Sequence, residues 1–224
     1  MEYTIEDRIA VVREKMDKAA EGREVTLVGV AKTKPAELVR RAVAAGLDVI
    51  GENYVQEFRE KSAAGAYEGA RVHIIGGLQK NKAKYVAGHV ALIQSVDSLS
   101  LMEEISRRAA GLGAAQDILL EVNIGGEASK SGADPEALPE LLSAAGGLPG
   151  VRVRGLMAIP PAELSAAYFP RMYHLYIDNK AKKYDNVSMD FLSMGMSDDY
   201  EAAIKEGANM IRVGSFIFGP RNYN

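Results

Sequence analysis

The chain contains no cysteine, which excludes disulfides, thiolate metal sites and cysteine nucleophiles. No run of apolar residues approaches the roughly 18–20 that a membrane span requires. Basic clusters are missing too. Lys plus Arg number 27 against 30 Asp plus Glu, a formal charge of −3. Nucleic-acid phosphates are gripped by clustered cations, so no nucleic-acid partner is expected. No linker or low-complexity tract interrupts the chain. The opening residues, Met1-Glu2-Tyr3-Thr4-Ile5-Glu6-Asp7, are acidic and periodic, unlike a secretory signal. What remains is ordinary globular composition, 47% hydrophobic and 25% charged over 224 residues, which excludes wholesale disorder. These absences predict a soluble, cytoplasmic protein with no membrane contact.

Periodicity divides the sequence into short β-rich runs alternating with amphipathic helical stretches. The expected strands are Val25–Ala31, Asp48–Ile50, Val72–Ile75, Ala91–Ser95, Asp117–Asn123, Val151–Ala158, Ser188–Leu192 and Asn209–Val213. An opening helix is expected over Ile5–Ala20, and Pro35 suits the first turn of the next, with Gly46 at its end. Further helices are expected over Tyr54–Ala64, Asn81–Ala87, Ser98–Ala110, Ala162–Tyr184 and Ser197–Glu206. Between them, Asp134 reads as an N-cap, Pro135 as a first-turn residue and Gly146-Gly147 as a stop. Strands alternating with helices imply a parallel sheet. Eight such units within 224 residues predict one (β/α)₈ TIM-type barrel domain over residues 1–224.

Barrel enzymes work at the C-terminal ends of their strands, which directs attention to Lys32, Glu52-Asn53, Gly76-Gly77, Ser95, Asn123, Met157, Ser193–Ser197 and Gly214-Ser215. Val28, Val30 and Lys32 share one strand face, so the lysine follows two apolar residues at the barrel mouth. Desolvation there would make it an amine nucleophile suited to Schiff-base formation. The plainer alternative is a lysine that reaches out to solvent, as Lys34 in the following loop is expected to do. The turns Ser193-Met194-Gly195-Met196-Ser197 and Val213-Gly214-Ser215 suit a phosphate, because small residues leave backbone N–H groups uncovered. Asp198 and Asp199 weaken any argument from a helix dipole alone. A strand-end lysine beside a phosphate cup suits a phosphorylated aldehyde or ketone, as in barrel aldolases and pyridoxal-phosphate proteins. Arg212, in mid-strand, is explained either by a salt bridge or by contact with a cofactor ring nitrogen. His73, His89 and His174 are too scattered to suggest a metal site.

Several stretches resemble one known family. They are Val30-Ala31-Lys32-Thr33-Lys34-Pro35, Gly51–Glu57 (GENYVQE) and His73–Lys82 (HIIGGLQKNK). Further on come Ser129-Lys130-Ser131-Gly132, Gly155-Leu156-Met157, Ser193–Ser197, Arg212–Ser215 and Ile217-Phe218-Gly219. In this order, over about residues 25 to 223, they are similar to the pyridoxal-phosphate homeostasis proteins, whose fold resembles the N-terminal barrel of alanine racemase. The resemblance implies that Lys32 carries pyridoxal 5'-phosphate as an internal aldimine. It implies that Ser197, Gly214 and Ser215 hold the phosphate and that Arg212 lies near the pyridine nitrogen. Asn53, Asn123 and Met157 would be ring or pocket neighbours. Ser215 stands where the family usually has Thr, and Phe216 where a small residue is usual, which would narrow the phosphate end.

The function implied is binding and delivery of pyridoxal phosphate, with its free level held in check and little catalysis of its own. The recipients would be pyridoxal-phosphate-dependent apo-enzymes. The chain stops at Asn224 without the β-rich domain that alanine-racemase-like enzymes add, and this fits a monomeric carrier. The alternative is a weak racemase or transaminase of small amino acids, for which Tyr54, Lys82 and Lys130 are the candidate acid/base groups. Lys34, Lys82 or Lys130 would also be the candidates for a second, looser cofactor site.

Overall fold

The computed structural model describes residues 3–127 and 130–220, apart from the side chain of residue 162. Its helices are α1 (Ile5–Ala20), α2 (Ala36–Ala44), α3 (Val55–Ala63), α4 (Leu99–Ala110), α5 (Leu138–Ala145), α6 (Ser165–Lys180), α7 (Tyr200–Lys205) and α8 (Ser215–Phe218). The strands are β1 (Thr26–Val30), β2 (Val49–Glu52), β3 (Arg71–Ile74), β4 (Leu92–Val96), β5 (Gln116–Glu121), β6 (Val151–Met157), β7 (Val187–Ser193) and β8 (Met210–Val213). They close into a barrel in the order β1 to β8, with β1 paired parallel to β8. The expected (β/α)₈ barrel is therefore the fold. Among the described residues no helix is long and apolar enough to cross a membrane.

Local chemistry sets the elements. Thr4 caps α1 by accepting from the Asp7 N–H, while the Asp7 carboxylate accepts from the Thr4 N–H. Ile5, Ile9, Val12 and Met16 then form the buried stripe, which packs on α7 and α8. Asp134 caps a 3₁₀ turn over Pro135–Ala137 that leads into α5.

Three helical expectations change. Over Lys80–Tyr85 only Ala83 is buried, and without an apolar stripe the segment winds as a 3₁₀ helix instead of an α-helix. Gly195, at φ +93°, and the Asp199 carboxylate, which accepts from the Met196 N–H at 2.6 Å, hold residues 195–199 in a turn, so α7 starts only at Tyr200. The stretch after β6 begins with a 3₁₀ turn, Ala162–Leu164, and ends at Lys180. The short helix α8 had no counterpart in the sequence reading.

Across the barrel interior the side chains form three levels. At the N-terminal end Asp117 pairs with Arg152 at 2.6 Å and with Arg154 at 2.7 Å, and Arg154 also reaches Asp190 at 2.6 Å. The middle is an apolar plug of Val28, Val49, Leu92, Leu119, Met157 and Met210. Each such side chain contributes roughly 1.5–3 kcal/mol on burial. Above the plug the inward side chains turn polar: His73, Gln94, Ser193 and Arg212. Outside the sheet, a larger apolar layer lies under α4, α5 and α6, and a second under α1, α2 and α7. At Gly155 the β6–β7 register shifts, and an added Cβ would lie 1.9 Å from the Phe191 carbonyl oxygen, so only glycine fits.

Candidate functional site

The turns after β1, β7 and β8 enclose a cavity of about 210 Å³. Val30, Lys32 and Lys34 form one wall; Ser197, Arg212, Gly214 and Ser215 form the opposite one. Lys32 sits in a tight turn in which the Lys34 N–H donates to the Ala31 carbonyl at 3.1 Å, and Thr33 takes the left-handed φ of +61°. Lys34 does not simply face water: it is half-buried and donates to the Pro220 carbonyl at 2.6 Å. Burial, reinforced by Arg8, pushes its ammonium pKa down. On the far wall the Gly214 N–H donates to the Ser197 hydroxyl at 3.3 Å, and the Ser215 hydroxyl lies 3.2 Å from it. A Cβ on Gly214 would come within 3.2 Å of Val30 Cβ, so glycine lets the two walls approach.

Arg212 is 3% exposed. Its partners are neutral: one terminal nitrogen donates to the Ser193 hydroxyl at 2.6 Å and the other to the Ala158 carbonyl at 2.9 Å. The salt-bridge alternative thus gives way to a charge held by neutral oxygens. The chain continues inward. Ser193 Oγ donates to Gln94 Oε1 at 2.7 Å, and Gln94 Nε2 lies 3.0 Å from His73 Nδ1. Burial pushes His73 down to about 3, so its ring is neutral and accepts from Gln94. Burial also lowers Arg212, to about 10, against the opposing pull of Glu121 and Asp199, which leaves it charged at neutral pH. Glu121, at the end of β5, is buried as well. That burial, with Asp97 adding repulsion, raises its carboxyl to about 7.

A second polar cluster lies outside the sheet, between β2 and α3. Glu52 is fully buried, and its Oε1 accepts from Lys61 Nζ at 2.8 Å and from the Tyr67 hydroxyl at 3.0 Å. Lys61 Nζ also donates to the Ala31 carbonyl at 2.7 Å and to Glu57 Oε2 at 3.0 Å. Glu52 Oε2 is buried without a hydrogen-bond partner, and burial pushes this carboxyl up despite Lys61.

Of the residues singled out in the sequence, Lys32, Ser197, Arg212, Gly214 and Ser215 meet in one cavity. Asn53, Asn123 and Met157 lie outside its wall. Met157 points inward from β6 and is part of the apolar plug. Asn123 closes its own loop, donating to the Glu127 carbonyl at 2.9 Å and accepting from its N–H at 3.2 Å. Asn53 lines a different cavity, of about 330 Å³, together with Tyr54 and Lys82. Lys130 pairs with Glu127 at 2.6 Å. Phe216 is turned outward, 41% exposed, and leaves the cavity unnarrowed. Ser129, of the Ser129–Gly132 motif, lies outside the described residues. The sequence reading placed Glu52 at a strand end without giving it a role, and missed Lys61, Gln94 and Glu121. The usable signal was a lone polar residue in an otherwise apolar strand, as in Val49-Ile50-Gly51-Glu52 and Leu92-Ile93-Gln94.

Comparison with known proteins bears on this arrangement. The family model for the N-terminal domain of alanine racemase matches residues 4–222. The pyridoxal phosphate homeostasis protein of Aquifex aeolicus is 44% identical, with 97% of this chain and 98% of the relative aligned. That of Pseudomonas aeruginosa is 46% identical, with 98% and 97% aligned. Among solved structures, PipY of Synechococcus elongatus PCC7942 with pyridoxal phosphate bound is similar at a TM-score of 0.82 and 35% identity, covering 96% of this chain and all of its own. In sequence and in barrel architecture, the chain belongs to the family of pyridoxal phosphate homeostasis proteins built on the alanine racemase N-terminal domain.

Proposed function

We propose that this chain binds pyridoxal phosphate in the Lys32 cavity and acts in its homeostasis, as a reversible carrier and buffer that supplies apo-enzymes. The observation that carries the reading is the meeting of Lys32, Arg212, Ser197, Gly214 and Ser215, drawn from three strand ends, around one cavity. The donor set fits the ligand: three cations, Lys32, Lys34 and Arg212, face a single carboxylate, Asp198, and two hydroxyls and an amide sit opposite the lysines. Family membership and PipY with the cofactor bound support the same assignment.

When bound, pyridoxal phosphate supplies an aldehyde carbon that condenses reversibly with a primary amine, and a phosphate dianion. Lys32 is the amine. Ser197, Ser215 and the Gly214 N–H are the phosphate donors; in their present arrangement they hydrogen-bond one another, so an anion replaces these contacts without stranding a polar group. Arg212 is already protonated and fixed from behind by Ser193 and Ala158, so it offers a ring nitrogen a hydrogen bond but no proton. Tyr54, Lys82 and Lys130, the acid/base groups an enzymatic alternative would use, line no part of this cavity, which favours the carrier over a racemase or transaminase. The closed sheet offers a second copy no strand edge, which supports a monomer.

The test is an absorption spectrum of the purified protein with added pyridoxal phosphate, then borohydride reduction and intact mass, for wild type and Lys32→Ala. A yellow band and one phosphopyridoxyl adduct mapping to Lys32, both lost in the variant, are expected. A protein that takes up no pyridoxal phosphate overturns the reading. Steady turnover of an amino acid, abolished by Lys32→Ala, would replace the carrier with an enzyme.

A further inference from the structure

The sequence Gly51–Glu57 contributes two carboxylates, Glu52 and Glu57, that do not line the Lys32 cavity. They converge instead on Lys61, which lies four residues after Glu57 on the same face of α3 and is 6% exposed. The cluster reaches the backbone on both sides of Lys32. Before it, the Ala31 carbonyl accepts from Lys61 Nζ at 2.7 Å. After it, the Thr33 N–H donates to Glu57 Oε2 at 2.7 Å, and the same oxygen accepts from Lys61 at 3.0 Å. The turn held in this way contains Thr33 at φ +61°, a conformation that a β-branched residue adopts only when its surroundings impose it. Burying Glu52 with one oxygen unpartnered is costly, and apolar packing would serve stability as well. An ionic cluster at this position is therefore better explained by what it holds.

We infer that Lys61, with Glu52 and Glu57, is a positioning device for Lys32: a buried clamp that fixes the peptides before and after it and so aims its amine into the cavity. Neither carboxylate nor Lys61 touches the ligand. Their effect is on how fast and how tightly Lys32 captures an aldehyde, because small displacements of a reacting group carry large rate penalties. The inference deepens the assignment above and rests on it.

The experiment measures the rate and affinity of pyridoxal phosphate uptake by the cofactor-free protein, from the growth of its absorption band, beside thermal unfolding of each variant. In Glu52→Leu/Lys61→Met, apolar residues of similar size replace the ion pair, so the fold is retained while the clamp is lost. Glu57→Ala removes the tie to Thr33 and one of the contacts of Lys61 at a half-buried position, while leaving Glu52 paired with Lys61, and Glu57→Gln keeps an acceptor oxygen there. Uptake about 10-fold or more slower in the double variant and in Glu57→Ala, with Glu57→Gln near wild type and unfolding little changed, is the expected result. Wild-type uptake in Glu57→Ala, or in a folded double variant, overturns the inference while leaving the role of Lys32 intact. If the double variant does not fold, the Glu57 pair decides. Wild-type protein without uptake, indistinguishable from Lys32→Ala, refutes the cofactor assignment itself and is a different outcome from failure of the clamp.

Discussion

The cluster around Lys61, which holds the turn at Lys32 from outside the sheet, and the chain that ends on Arg212 inside the barrel both support the same cavity, yet their charges are arranged differently. Around Lys61 two carboxylates share one ammonium, and a phenol donates to the more deeply buried of the two. Behind Arg212 the partners are a hydroxyl, a carbonyl, an amide and a neutral ring, of which the hydroxyl, the amide and the ring remain paired among themselves. A buried ion pair is fragile because losing one member strands the other; a neutral chain is costly only where a donor or acceptor is left empty. The backbone at Lys32 is thus held by interdependent charges, and the far wall by a charge whose removal empties one carbonyl and leaves the rest of its chain paired.

Removing Lys61 tests this most severely. Lys61→Met leaves Glu52 buried without its cation and is expected to cost about 3–5 kcal/mol in denaturant unfolding at pH 7. A loss below about 1 kcal/mol would mean that the Tyr67 hydroxyl suffices to hold Glu52 without it.

Glu121 supplies a pH-dependent contrast. Its carboxyl rises from 4.5 in the unfolded chain to about 7 in the fold, so over that window the native state binds more protons and stability falls as pH rises. The size is on the order of 1–3 kcal/mol. His73, lowered from 6.5 to about 3, works the other way: below 6.5 the unfolded chain binds more protons, so stability rises with pH. Unfolding across pH 4.5 to 7 should therefore show Glu121→Gln losing the downward slope and exposing the upward one.

Ser193→Ala is expected to cost roughly 1–3 kcal/mol, because it empties Gln94 Oε1 and one Arg212 N–H together. Arg212→Leu should change stability least, by about 1 kcal/mol, since it empties the Ala158 carbonyl while Ser193 still reaches Gln94 and the cost of burying a charge disappears. The same variant should bind pyridoxal phosphate more weakly, as read by spectral titration. If Arg212→Leu unfolds the protein as Lys61→Met does, the distinction between the two clusters fails.

Local rules carried much of the fold. The Thr4 cap and the spacing of Ile5, Ile9, Val12 and Met16 define α1 at both ends, and all eight strands fall where apolar runs meet turn residues. Where periodicity lacked a buried stripe, as over Lys80–Tyr85, helix type was misread. In the site, Lys32, Ser197, Arg212, Gly214 and Ser215 were legible because strand-end position is a property of sequence order. Met157 follows its strand in the same sense, but the pleat turns it into the plug. The pairing of Glu52 with Lys61 was not legible, since a helical lysine nine residues from a strand carboxylate reads as a solvated face until α3 is folded back onto β2.

The hydrogen bonds behind Arg212 have a direction. Each donor from Arg212 through Ser193 and Gln94 points away from the cavity, and the last acceptor is the His73 ring. A proton passed inward along these bonds would leave the imidazole bearing a charge that burial opposes, and restoring the path would require the Ser193 hydroxyl to turn and the Gln94 amide to flip inside a packed interior. The barrel axis is in effect a wire with a blocking contact at its inner end. Protons exchanged in the cavity must come and go through its mouth, so solvent access at the turns after β1, β7 and β8, and nothing beneath them, governs the acid–base traffic of whatever the cavity holds.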